Sequence, residues 1–146
     1  MEIDYNKLAQ NDEGCIEEIK EALGIHCNFK AGRIIGRVLH TLRSSLTYVE
    51  SADLIQHLPD NIKIIYVSDW KLKTNQIELK SLESFVNEVI VNDSAHAERV
   101  LSSRMVALDA IITIIRVLNK HINILSYDFL KYPLNNQLKE AMYKAA

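Results

Sequence analysis

The chain has 146 residues, 48% of them hydrophobic and 25% charged, with a formal net charge of −2. That size and composition suit one globular domain able to bury a core without a disulfide or a metal. The slight negative charge argues against whole-domain nucleic-acid binding and against strong attraction to an anionic membrane.

Cys15 and Cys27 form no C-x-x-C pair, so neither a zinc ribbon nor a dithiol redox motif is expected. Two free thiols fit a reducing cytoplasm, although two cysteines could also form one bridge. The opening MEIDYNKLAQ has no basic n-region and no apolar h-region, so a signal peptide is not expected. Pro occurs twice and Gly four times, a scarcity that favours long helices over a turn-rich β fold.

The first helix is expected to start after Asn11 or Asp12 and to run through Ile16, Ile19 and Leu23 to a stop at Gly24. The second covers Phe29 to Arg43. Its apolar face is Ala31, Ile34, Ile35, Val38, Leu39, Leu42 and Leu46. Lys30, Arg33, Arg37 and His40 fall opposite, which predicts a helix packed on one side. Thr47-Tyr48-Val49-Glu50 reads as a capping box opening a third helix to about Leu58, with Tyr48, Ala52, Ile55 and Leu58 inward. Pro59 suits the first turn of a fourth helix, to about Val67. Residues 68–77 read as the main linker, with Trp70 anchoring it to the core.

Leu82, Phe85, Val86, Val89 and Ile90 mark a helix from Glu78 or Ser81 to Val91. The stretch 95–119 is expected to be one helix, or two with a bend near Ser102-Ser103. Within it Met105, Leu108, Ile111, Ile112, Ile114, Ile115 and Leu118 cover over half the circumference. Asp109, Thr113, Arg116 and Lys120 share the remaining strip. An apolar stripe that wide predicts a central helix with neighbours on several sides. A short segment over 125–132 follows, and Pro133 opens a last helix through Leu138 and Met142.

The two halves, about 12–67 and 78–144, echo each other. Val38-Leu39, Leu42 and Leu46-Thr47 lead to Leu58-Pro59; Ile114-Ile115, Leu118 and Ile122-Asn123 lead to Tyr132-Pro133. Self-similarity of this kind suits units that stack because neither buries its apolar face alone. The expected fold is therefore all-α: a compact, single-domain bundle of seven to eight helices built from two similar halves.

The stretch Val38-Leu39-His40-Thr41-Leu42, then Leu46-Thr47, Ala52-Asp53-Leu54, Gln56-His57-Leu58-Pro59, and finally Tyr66 and Trp70, resembles the bacterial domain-of-unknown-function family numbered 2267. The second half is similar only through Phe85-Val86, Val89, the 105–118 helix and Pro133, and has Lys131-Tyr132-Pro133 where the family shows a second QLP. The resemblance implies a small helical two-repeat domain and no activity, cofactor or ligand, because none is established for the family.

Candidate chemistry is sparse. Glu50, Asp53 and His57 share one face of the third helix at i, i+3, i+7 and could offer a metal two oxygens and an imidazole, with His40 as a further ligand. A solvated helix face is the favoured reading, since one helix is not a coordination sphere. Lys30, Arg33 and Arg37 could contact phosphates, but no aromatic residues interleave with them for base stacking. His96-Ala97-Glu98 has the H-x-E spacing of zinc deaminases without their P-C-x-x-C segment. Walker, nucleophile-elbow and dinucleotide motifs are absent from the sequence. Tyr127, Phe129, Tyr132 and Tyr143 make the C-terminal region the most aromatic, and aromatic residues are enriched at interfaces. The sequence therefore favours a non-enzymatic structural or protein-interaction module, with a homodimer as one form of it, without cofactor. Its alternatives are a small-ligand or metal site between the halves, and phosphate or nucleic-acid contact through the basic stripe.

Overall fold

The computed structural model describes residues 3–10, 14–70 and 76–145. Every regular element among them is helical. The helices are α1 (Tyr5–Gln10), α2 (Cys15–Leu23), α3 (Asn28–Ser44), α4 (Tyr48–His57), α5 (Asp60–Val67), α6 (Leu82–Ser94), α7 (Arg104–Ile122) and α8 (Leu134–Ala145), with a 3-10 turn at Ile124–Ser126. No helix among the described residues is long and apolar enough to cross a membrane.

Local chemistry explains most boundaries. Gly24 ends α2 in the left-handed region at φ 66°, and its amide returns to the Lys20 and Glu21 carbonyls. The capping box at α4 is complete: the Thr47 hydroxyl accepts from the Glu50 amide at 3.1 Å, and the Glu50 carboxylate accepts from the Thr47 amide at 2.9 Å. Pro59 is the N-cap of α5. Gly14 is the N-cap of α2, whereas the expected caps Asn11 and Asp12 lie outside the described residues. The α1 helix has no counterpart in the sequence-based expectation.

The stretch 95–119 contains an irregular connection over 95–103, and α7 begins only at Arg104, behind a Ser103 cap at the predicted bend. The Asp93 carboxylate holds that connection out of helical conformation by accepting from the Val100 and Leu101 amides, each at 3.0 Å. The predicted 125–132 segment condenses to the 3-10 turn and an irregular run to a cis Tyr132–Pro133 bond.

Two helices form the centre. As predicted, α7 has neighbours on several sides, packing on α2, α3, α6 and α8. The other is α3, which meets α1, α2, α5, α6 and α7. The expectation that α3 packs on one side is corrected: past its first turn it is enclosed almost all round. Gly32 is why α1 can approach. A Cβ there would lie 2.1 Å from the Tyr5 ring. Ile34, Ile35, Leu39, Leu54, Ile62, Tyr66, Phe85, Ile111 and Ile114 are among the side chains of one continuous core.

Two details of the inward faces differ from expectation. On α4 the buried residues are Ser51 and Leu54, while Ala52 and Tyr48 are exposed. Ser51 turns inward because its hydroxyl meets the Tyr66 hydroxyl at 2.7 Å. On α7 Thr113 is buried and Met105 is 69% exposed, since Met105 lies in the first turn, beyond the neighbours. His57 is exposed and Leu58 buried, as α4's pattern requires.

Candidate functional site

Two hollows stand out. The first is a groove of about 640 Å³ whose walls come from opposite halves of the chain. Leu42, Ser45 and Glu50 form one wall, Phe129 to Leu134 the other, and residues 76–80 run between them. That run is tied to the end of α3: the Ile77 amide donates to the Ser44 carbonyl at 2.9 Å and the Gln76 side chain to the Ser45 carbonyl at 3.0 Å. Ile77 and Leu79 are half-buried while Gln76, Glu78 and Lys80 are exposed, the period-2 alternation of an extended segment. Tyr132 stands on the rim, 78% exposed.

The second is a polar cleft on the far side of α3. It consists of two adjoining hollows, about 590 Å³ and 430 Å³, that share His40, Asp69 and His96. Tyr5 and Phe29 line its outer end, and Trp70 the other. Helix α3 positions His40 there. The ring Nε2 donates to the Ile65 carbonyl at 2.7 Å and lies 3.2 Å from the Ser68 hydroxyl. Burial, helped by the neighbouring Arg43 charge, lowers the His40 pKa to about 4, so the ring is neutral at pH 7. His96 Nδ1 donates to the Asn92 carbonyl at 2.8 Å. Asp69 sits in the left-handed region at φ 52°.

The arginines around this cleft are all engaged. Arg33 pairs with Glu98. Arg37 donates to Asp93 Oδ1 at 3.0 Å and to the Glu98 carbonyl at 3.1 Å. Arg43 donates to the Tyr66, Ser68 and Asp69 carbonyls and lies 5.2 Å from the Trp70 ring centroid. Trp70 thus anchors the start of the linker, as expected, with its ring also against Tyr48 and Tyr66. The expectation that Lys30, Arg33, Arg37 and His40 lie together opposite the packed face of α3 is corrected accordingly. Lys30 is exposed, but Arg33 is paired, Arg37 is buried and His40 faces α5.

The Glu50, Asp53 and His57 trio remains on α4, away from His40. Glu50 caps its own helix, and the His57 ring packs edge-on against Tyr127 at 6.4 Å. Among the described residues no group of three or more His, Cys, Asp or Glu side chains is arranged to hold a metal ion. Of the four C-terminal aromatics, Tyr127 and Phe129 are half-buried and pack on each other at 5.3 Å, while Tyr132 and Tyr143 are exposed.

Cys15 is buried and Cys27 exposed. Cys27 is the N-cap of α3, and the Lys30 and Phe29 amides there lower its thiol pKa.

Sequence reasoning missed the cleft. Nothing in the spacing of residues 40, 69 and 96 couples them, and His96 stood out only for an accidental H-x-E match. The one signal was Asp69 beside Trp70 in a linker that needed an anchor.

The comparisons with known proteins agree with the motif resemblance. A family model described as "Uncharacterized conserved protein (DUF2267)" matches residues 13–141. No curated protein matches the chain. The matched span takes in α2 to α7 and most of α8. The chain belongs to the DUF2267 family of uncharacterised conserved proteins.

Proposed function

We propose that this chain is a non-enzymatic module that acts through protein contact, its most direct form a homodimer, with the groove between its two halves as the contact surface. One observation carries the reading: a groove of about 640 Å³ has walls from both halves and an almost fully exposed tyrosine, Tyr132, on its rim. An exposed aromatic beside a preformed groove is the kind of anchor that dominates interface energetics. Like helical order in the two halves supports treating them as similar stacked units within one domain. In each, a helix, a long helix, a short helix or 3-10 turn, and a helix follow one another, with a proline before the last. Cys15 and Cys27 are not joined in a disulfide, which fits a cytoplasmic setting.

Native mass spectrometry of the purified chain, without chelator, reads stoichiometry and bound mass together. A dimer without added mass that dissociates on Tyr132→Glu is the expected result. A monomer at every concentration, empty or carrying a small molecule or metal, overturns it.

A further inference from the structure

The extended run 76–80 has one satisfied edge and one open edge. No turn or bend interrupts it, and its side chains alternate between exposed and half-buried. In such a chain the peptide groups of successive residues point to opposite sides. The Ile77 amide points at α3 and donates to the Ser44 carbonyl at 2.9 Å. The N–H and C=O groups of Glu78 and Lys80 therefore point away from α3. Among the described residues neither amide finds an acceptor and neither carbonyl finds a donor. An open edge of this kind is a template for a second strand.

The edge is its own complement. Laid antiparallel on a copy with Leu79 opposite the partner's Leu79, it sets Glu78 against the partner's Lys80 and Lys80 against the partner's Glu78. Both facing positions direct their peptide groups outward, so each is a hydrogen-bonded pair that exchanges both N–H···O bonds. Leu79 is then the closer, non-bonded pair on the two-fold axis. Opposite charges directly across such a pair are favourable. Registers centred on Glu78 or on Lys80 set like charges against each other, which selects this one. Within the chain Glu78 and Lys80 meet at 3.9 Å, both exposed, a contact worth little in water.

We propose that two copies of this chain join by antiparallel pairing of their 78–80 edges, with Glu78 opposite the partner's Lys80. All three residues line the inter-half groove, whose rim carries the exposed Tyr132. The pairing rests on the dimer reading given above and supplies its register.

Charge reversal in the full chain tests it. Glu78→Lys and Lys80→Glu each set like charges at both facing positions and are expected to weaken the dimer about tenfold. Mixed together, one of them isotope-labelled, the two variants regain complementary edges. Native mass spectrometry is then expected to show the heterodimer above its statistical share. Both reversals in one chain are expected to restore the parent's dimerisation. The variants are expected to melt like the parent, since both side chains are exposed. In NMR, the Glu78 and Lys80 amides are expected to exchange more slowly as concentration populates the dimer, and the Leu79 amide is not. A dimer indifferent to both reversals, or a heterodimer at its statistical share, overturns the pairing. If Tyr132→Glu still dissociates that dimer, the contact reading stands without it. A monomer at every concentration overturns both and leaves the edge to an extended segment of another protein.

Discussion

Arg37 on α3 donates from Nε to Asp93 Oδ1 on α6 at 3.0 Å, and the residues are only 7% and 2% exposed. The pair closes a larger network. Asp93 also accepts from the Val100 and Leu101 amides, and Arg37 reaches the Glu98 carbonyl, so one ion pair fastens the 95–103 connection to the centre of the bundle. Burial opposes ionisation of Asp93, but the two amides and the Arg37 charge outweigh it and its pKa is lowered.

Removing one partner strands the other as a buried charge, which costs about 3 kcal/mol. Asp93→Ala and Arg37→Ala are each expected to lower stability by that order in urea unfolding. Asp93→Ala is also expected to speed hydrogen exchange at Val100 and Leu101 far more than at Leu118 in α7. Equal acceleration at all three would show that the pair supports the whole bundle rather than the connection.

Gly32 and Tyr5 make a second such relationship. In most exposed helices Gly→Ala stabilises by about 1 kcal/mol. Here the added methyl would fall 2.1 Å from Tyr5 Cδ1. Gly32→Ala is expected to displace α1, with faster exchange across residues 5–8 and a net loss of about 1 to 3 kcal/mol. Adding Tyr5→Ala should recover part of that loss, because the clash then has no partner. A single mutant as stable as the parent would show that the ring moves aside freely.

His40 predicts a pH dependence. Its folded pKa, about 4, lies below the ordinary 6.5. Between those values the unfolded chain takes up a proton that the folded chain refuses. The stabilisation is full above about pH 6.5 and is lost as pH falls towards 4, on the order of 3 kcal/mol. His40→Gln is expected to flatten this segment of the stability curve. Asp93, with its lowered pKa, contributes separately below its ordinary value of 3.8 as it protonates. An unchanged slope between pH 6.5 and 4.5 in His40→Gln would assign it to other groups.

The two thiols should differ sharply. Cys27 is exposed with helix-amide stabilisation of its thiolate, and Cys15 is buried. Iodoacetamide under native conditions is expected to label Cys27 at least about tenfold faster than Cys15, as read by peptide mass spectrometry. Comparable rates would mean that α2 opens readily.

Much of the helical frame was legible because its determinants are local. Thr47 and Glu50 lie within one turn, Gly24 needs only its own φ, and Pro59 acts on its own peptide unit. The width of the apolar stripe on α7 was equally readable, since it counts residues on a single cylinder. Polar side chains were placed less well. Arg37 reads as a surface cation until Asp93 arrives from another helix, and Ser51 reads as less inward than Ala52 until Tyr66 offers a hydroxyl. The candidate sites belong to the same class. His40, Asp69 and His96 share a cleft, and Glu50 shares a groove with Tyr132, only after α3 has brought distant segments together. The sequence by itself determined the helical class, most boundaries and the family, because capping and periodicity are short-range effects. Tertiary structure alone decided which charges are paired and which polar groups are buried, because a polar group's state depends on partners that can lie anywhere in the chain.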